Sequence, residues 1–374
     1  MIQTNLAVEA PRLGSADVAL LWGRHLLTFV YPALTLAFLW TAPHSWWGAL
    51  LWIVPSTLLD FLDDYGGHER RQPPADLPAA PFDALLYAHF ALQVVTLLSL
   101  LRLFTVQGFW SMDAFMAVQF VGFGSGVSGI VVAHELIHRK ERHLRAMGRV
   151  LMGSVLYDHF AIEHVRGHHV RVATGDDPAT ARYGERFWPF FRRTVPAQLR
   201  SAWRLESRRL GDEDMALLDR RQLRNKVLHG LALEWAFALA VLLAFGAASF
   251  GVFVLQAALA VLSLEVVNYF EHWGLERSGR RVRPQDSWDS DARFTYYALV
   301  GLTRHADHHA NASRPYQSLR LFDESPKLPR GYHGMLRLAL FRNGLFQQQM
   351  TDELRRRGLG PFACRGDEPV AAQG

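Results

Sequence analysis

Apolar residues in this chain run in blocks and do not alternate with polar ones. Five blocks are long enough to cross ~30 Å of hydrocarbon, which takes about 20 helical residues: Val18–Trp40, Trp46–Leu62, Phe82–Phe104, Asp113–Ala133 and Leu228–Phe245. A sixth runs from Gly251 to Val267 and continues into Asn268-Tyr269. No period-two pattern of a barrel appears, so helices, which satisfy their own backbone groups in lipid, are the predicted elements. Leu144–Phe160 is also apolar but short and carries Arg145, Arg149 and Asp158, which predicts a helix partly buried at the membrane face. Asp63–Pro81, with Gly66-Gly67 and Pro73-Pro74, reads as a turn between the second and third spans.

Charge gives the six predicted spans a direction. The links Thr41–Ser45, Thr105–Met112 and Gly246–Phe250 hold no Lys or Arg. The opposite side holds Arg70-Arg71, Arg139-Lys140, Arg142, the Arg-rich span 192–226 and Arg355-Arg356-Arg357. By the positive-inside rule both termini, a cytoplasmic insertion at 161–227 and a cytoplasmic part at 273–374 lie on one side, with Arg102 the one dissenting charge. The reading is therefore an all-α integral membrane protein, one domain over 1–374, with about six transmembrane helices and a histidine-rich cytoplasmic cap. The stretch before Val18 is mixed and the run after it too long for a signal core, so the first span is expected to stay as an anchor. A bacterial inner membrane is the expected location.

Composition narrows the chemistry. Half of the 374 residues are hydrophobic and a fifth charged. The single Cys364 leaves no disulfide framework within the chain and no Cys-ligated iron–sulfur centre, and no dinucleotide fingerprint appears, so electrons must come from outside. Nothing points to nucleic acid. Residues 192–226 carry ten basic and five acidic residues, either a solvated helix with ordinary charge mixing or a docking face for anionic headgroups or an acidic protein.

Nine histidines stand in four clusters close to the ends of the apolar blocks: His134 and His138; His164, His168 and His169; His272; and His305, His308 and His309. Imidazole is the commonest side-chain ligand of transition metals, and nine are too many for one ion. At i, i+4 spacing, His134 and His138 point the same way on a helix, and so do His164 and His168; His305, His308 and His309 predict one helical face. Each cluster holds a carboxylate (Glu135, Glu163, Glu271, Asp307) fit to accept the second imidazole N–H. All-nitrogen, oxygen-reactive sites point to iron before zinc, with copper and manganese open. His25, His44, His68, His89, His143, His159, His229 and His333 are expected to be ordinary interfacial polar residues. His134-Glu135-Leu-Ile-His138 also spells the zinc-protease helix, but that reading leaves six clustered histidines unexplained.

These clusters and their neighbours resemble the membrane alkane monooxygenases (alkane ω-hydroxylases), within the membrane fatty-acid desaturase and hydroxylase superfamily. The likeness rests on His134-Glu-Leu-Ile-His138, Glu163-His-Val-Arg-Gly-His168-His169, Asn268-Tyr-Phe-Glu271-His272-Trp273-Gly274 and Arg304-His-Ala-Asp-His308-His309, in the family's order. Arg314-Pro-Tyr316-Gln317-Ser-Leu319-Arg320 and Asp286-Ser-Trp288 extend it, and it covers about residues 18 to 350. Trp273 stands where the family usually has Tyr, and Thr303 where Gln is common. The resemblance implies all nine clustered histidines as ligands of two non-haem irons, with O2 as co-substrate and outer-shell roles for Glu271 and Asp307. Asp60, Asp176 and Asp177 are further candidates for bonding to ligating histidines. It implies hydroxylation of the terminal methyl of an alkane, or a related hydroxylation or desaturation of a fatty-acyl chain or alkyl aromatic. The implied electron donor is rubredoxin, or ferredoxin, reduced by an NAD(P)H-dependent flavoprotein. A lipid-dissolved hydrophobic substrate would reach the metals through an apolar channel, with Trp46, Trp47 and Trp52 as candidates to limit chain length.

Overall fold

The computed structural model describes residues 14–363 apart from 75 and 278, so Cys364 and the extreme termini lie outside the described residues. Among these residues the chain is helical, with two isolated bridges (His68 with Ala292, Asp289 with Lys327) and no strand.

Three helical stretches are long and apolar enough to cross a membrane: Ala79–Thr105, Met112–Ile137 and Lys226–His272. The first two expected spans are each interrupted. Ser15–His25 (α1) tightens into a 3-10 turn at Leu26–Phe29 before Val30–Thr41 (α2). Trp46–Leu51 (α3) breaks at Trp52 before Ile53–Tyr65 (α4). Pro32 and Pro55 explain both. A helical proline clashes with the carbonyl four residues back, here Thr28 and Leu51, the positions where each helix departs from α geometry.

Ala79–Val106 (α5) leads to Met112–Ser125 (α6), whose start is capped by the Ser111 hydroxyl accepting from Ala114 N. The helix then widens into a π-turn at Gly126–Val131 and resumes as Val132–Ile137 (α7). Arg142–Gly153 (α8) buries Leu144, Gly148, Leu151 and Met152 on one stripe and leaves Arg145 exposed, a partly buried helix as expected but ending seven residues short of Phe160. Phe160–Glu163 (α9), a second π-turn at His164–His168 and His169–Arg171 (α10) follow, then Phe187–Arg209 (α11).

Lys226–His272 (α12) is two helices joined at Gly246, where φ is +82° and ψ 176°, a conformation open in practice to glycine alone. The rings of Phe237 and Phe253 lie 5.5 Å apart. Along a straight helix those positions would be separated by about 24 Å. The chain therefore doubles back at Gly246, inside the expected link between the fifth and sixth spans. Gly122 lets α6 pack against the returning arm; a Cβ there would sit 2.8 Å from Leu259. Arg293–Ala298 (α13), His305–Ala310 (α14), Tyr332–Phe341 (α15) and Asn343–Arg357 (α16) complete the described chain. They close over a core that includes Tyr269, Trp273, Trp288, Tyr332 and Phe346.

Candidate metal centre

The four histidine clusters meet at the junction of α7, the His164–Arg171 segment, the end of α12 and α14, and they sort into two groups. His134, His138, His164, His169 and His308 form one; His168, His272, His305 and His309 form the other, with candidate ligand atoms in each group all within 4.8 Å of one another. The groups abut, the ring of His169 stacking on that of His309 at 4.3 Å between centroids.

Local helix geometry decides the sorting. His134 and His138 share a group, as i, i+4 spacing predicts. His164 and His168 part company: through the π-turn, whose hydrogen bonds run to the fifth residue, His164 falls with His169 and His168 turns to the other group. On α14 the i, i+4 pair His305 and His309 stay together, while His308 faces the five-histidine group.

Nitrogens bound at right angles around one ion at ~2.1 Å lie about 3 Å apart. The Nε2 atoms here are spaced to match: His134 to His308 2.7 Å, His169 to His308 3.0 Å and His169 to His164 3.0 Å in the first group. In the second, His305 lies 3.1 Å from His272 and 3.0 Å from His309. The Nε2 atoms of His138 and His168 are buried with no hydrogen-bond partner, which is costly in a folded protein unless something takes the lone pair. The residues therefore fit a metal in each group. Burial pushes the imidazoles of His164, His169, His305, His308 and His309 well below their ordinary range, and their mutual repulsion adds to it, keeping them neutral. Neutral imidazole is the form that ligates.

His168 is the exception. Burial opposes its charge, yet the Asp177 carboxylate, 2.8 Å from Nδ1, raises it and is itself lowered by the pairing. Asp177 is also held by Thr180 Oγ1 at 2.6 Å, so Nδ1 is committed and Nε2 is the atom free to ligate. Asp176, its neighbour, is exposed and touches none of the nine. Glu271 lies 3.2 Å from His305 Nε2 and accepts from the Tyr332 hydroxyl at 2.6 Å. Glu163 acts on the backbone, accepting from His168 N at 3.2 Å while Arg171 and Ser201 donate to its other oxygen; burial and the nearby Asp177 push it up to about 7.

Other expected carboxylates face elsewhere. Asp307 accepts from Asn311, Arg314 and the backbone of Arg320, tying down the chain after α14 and touching no imidazole. Glu135 accepts from Arg139 and from Tyr316 N. Asp60 contacts His333, which is outside the nine. Conversely, Asp289 accepts from Ala306 N at 2.7 Å and pairs with Lys327, fixing the first turn of α14. Its position beside Asp286-Ser-Trp288 was the only signal. Two isolated histidines, His25 and His159, are buried with both ring nitrogens unpartnered, His25 among the rings of Phe82, Tyr296, Tyr297 and Tyr316.

A cavity of about 530 Å³ ends on His134, His164 and His305. Its walls are mostly apolar, from α2, α4, α6, the first π-turn, α12 and α15, with Phe120, Ile130 and Val131 among them. Trp46 and Trp47 are 63% and 75% exposed and do not line it. Trp52 packs on Phe38 and on Phe120, so it backs the cavity wall without forming it.

Comparison with known proteins adds a family match and three relatives. Residues 109–338 match the family described as fatty acid desaturase. The chain is 42% identical over 227 residues to alkane 1-monooxygenase 2 of Pseudomonas aeruginosa, covering 59% of each. It is 32% identical over 367 residues to alkane 1-monooxygenase 1 of Alcanivorax borkumensis, covering 94% of this chain and 90% of that one. With alkane 1-monooxygenase of Pseudomonas putida the identity is 32% over 335 residues, 84% of this chain and 81% of the relative. The chain thus spans under two thirds of the length of the Pseudomonas aeruginosa relative, and 90% and 81% of the other two.

Proposed function

The chain belongs to the alkane monooxygenase family, within the membrane fatty-acid desaturases and hydroxylases, and on that premise we propose that it hydroxylates the terminal methyl of a medium- or long-chain alkane. The balance is one alkane, one O2, two electrons and two protons in, one primary alcohol and one water out. The observation that carries the reading is the meeting of two all-histidine groups with the end of an apolar cavity.

His134, His138, His164, His169 and His308 would hold one iron, and His168, His272, His305 and His309 the other. Bound there, the two irons supply the activation of O2 and the oxidation of the C–H bond. The chain's own residues do the rest. Asp177 holds His168 in register through Nδ1, and Glu271 stands on the metal-facing Nε2 side of His305. The mostly apolar wall favours a hydrocarbon chain lying with its methyl toward His134, His164 and His305.

We read the membrane topology as six spans with both termini and the metal groups cytoplasmic, in a bacterial inner membrane and in one domain. The turn at Gly246 and the charge asymmetry support it. A rubredoxin, or a ferredoxin, with its NAD(P)H-dependent flavoprotein would supply electrons. Within 192–226, Arg193, Arg208, Arg209 and Arg221 already pair with carboxylates, which leaves the other basic residues there to attract an acidic partner.

Cells expressing the chain with a rubredoxin and its reductase, fed alkanes, fatty-acid esters and alkyl benzenes, test the reading by gas chromatography–mass spectrometry. Primary alcohols from linear alkanes are expected. Alkenes, or oxidation of esters or aromatics only, would move the protein to a sister branch. Metal analysis should give two irons per chain.

A further inference from the structure

The cavity wall is not apolar throughout. Tyr31, Asp60, His333 and Arg337 also line it, and they are joined to one another. The Tyr31 hydroxyl lies 2.6 Å from His333 Nε2, and His333 Nδ1 lies 2.9 Å from Asp60 Oδ1. Arg337 pairs with Asp60 and, at 3.2 Å, with Asp64. The cluster reaches the outside: the side chains of Asp60 and Arg337 are 37% and 40% exposed. It also approaches the metal groups, because Tyr332, the residue before His333, donates to Glu271 beside His305. Polar side chains at one side of the cavity, Tyr31, Asp60, His333 and Arg337, thus run as a seam from beside Tyr332 to the surface. The remaining wall is mostly apolar, with Phe115, Phe120, Phe123 and Leu340, and carries Thr35, Ser56, Gln119, Ser263 and Asn268 as uncharged polar groups.

A saturated hydrocarbon gains nothing from such a seam, whereas a ligand hydroxyl, which both donates and accepts, can join the chain of groups already bonded to one another there. The seam offers donors and acceptors together, which suits a group that both donates and accepts. Its charge disfavours an anion: Arg337 already pairs with Asp60 and Asp64, Arg330 with Asp64, and the Asp63 carboxylate stands beside them at the His333 backbone. A neutral hydroxyl fits and a carboxylate does not.

We propose that Tyr31, His333, Asp60 and Arg337 form a hydroxyl-binding subsite for a medium- or long-chain primary alcohol, at the outlet of the apolar cavity. That this alcohol is the product rests on the hydroxylase reading above; the binding itself does not. Substrate and product then have different preferred positions in one cavity: the alkane is held by the apolar wall alone, while the alcohol is drawn hydroxyl-first along α15 toward Asp60 and Arg337.

Equilibrium binding of 1-dodecanol, n-dodecane and dodecanoate to the purified full chain without reductant tests this. Wild type is compared with Tyr31→Phe and, at the half-exposed end, Asp60→Asn, each variant checked for an unchanged melting temperature. Losing one hydrogen-bond partner should weaken 1-dodecanol binding about five- to tenfold and leave n-dodecane within about twofold, because the apolar contacts that hold it are untouched. Wild type should prefer 1-dodecanol to dodecanoate. Equal loss for alcohol and alkane, no loss for either, or a preference for dodecanoate overturns the subsite. Wild-type turnover of dodecane, measured separately, decides the hydroxylase reading: if it fails while the alcohol contrast holds, the subsite stands and that reading falls.

Discussion

Asp177 decides which nitrogen His168 presents. Its carboxylate, 2.8 Å from Nδ1, fixes the tautomer and leaves Nε2 for a metal. Asp177→Asn keeps the shape but loses the charge, and carboxylate partners of this kind are worth roughly 10–100-fold in metal affinity or activity. Iron content by mass spectrometry and turnover should both fall on that scale, whereas Asp176→Asn, at the exposed neighbour, should change neither. His168→Ala and His308→Ala should abolish turnover and leave membrane insertion intact; retained turnover in either would remove that residue from the ligand set. Residue types and clusters were legible in the sequence; the aim of the carboxylates was not. Asp307 sits between His305 and His308 yet turns to Arg314, and Asp60 serves His333, because on a short helix or at a helix end a side chain's direction is set by tertiary partners that spacing does not reveal.

At the scale of elements, departures from regular helix build the site. The π-turn at His164–His168 spreads three neighbouring histidines over both groups, which ideal α spacing would not do. Gly167 lies inside it, and a Cβ there would come within 2.4 Å of both Glu163 Oε1 and Arg171 Nη2. Gly167→Ala should displace Glu163 from His168 N and lower iron occupancy, read as metal per chain in protein of unchanged yield. Gly246→Ala belongs to the same scale: a side chain at φ +82° and ψ 176° costs roughly 1–3 kcal/mol, so the melting temperature should drop while metal content per folded chain holds. The apolar blocks located the long helices because burial in lipid demands continuous apolar length. They hid the breaks at Leu26–Phe29 and Trp52, although Pro32 and Pro55 were in plain view, because block length says nothing about the carbonyl four residues upstream.

For the whole molecule, nine imidazoles packed together without ions are an unfavourable arrangement, since each group gathers lone pairs and leaves buried nitrogens unpartnered. Metal binding to the folded state alone should offset this. Chelation should lower the melting temperature by at least a few degrees, with recovery on adding Fe(II); an unchanged transition would mean the groups stand without metal. The all-helical character, the long apolar helices and the approach of the four clusters could be read from apolar length and histidine spacing. The division into five and four could not, because it depends on how segments from four parts of the chain turn toward one another. That division has a consequence for the order of synthesis. Both groups draw on His305–His309, so neither can close until more than three hundred residues have left the ribosome and most of the apolar helices are made. Metal loading would then come late, and a chain interrupted before α14 would carry two unfinished sets of histidines with nothing to hold an ion between them.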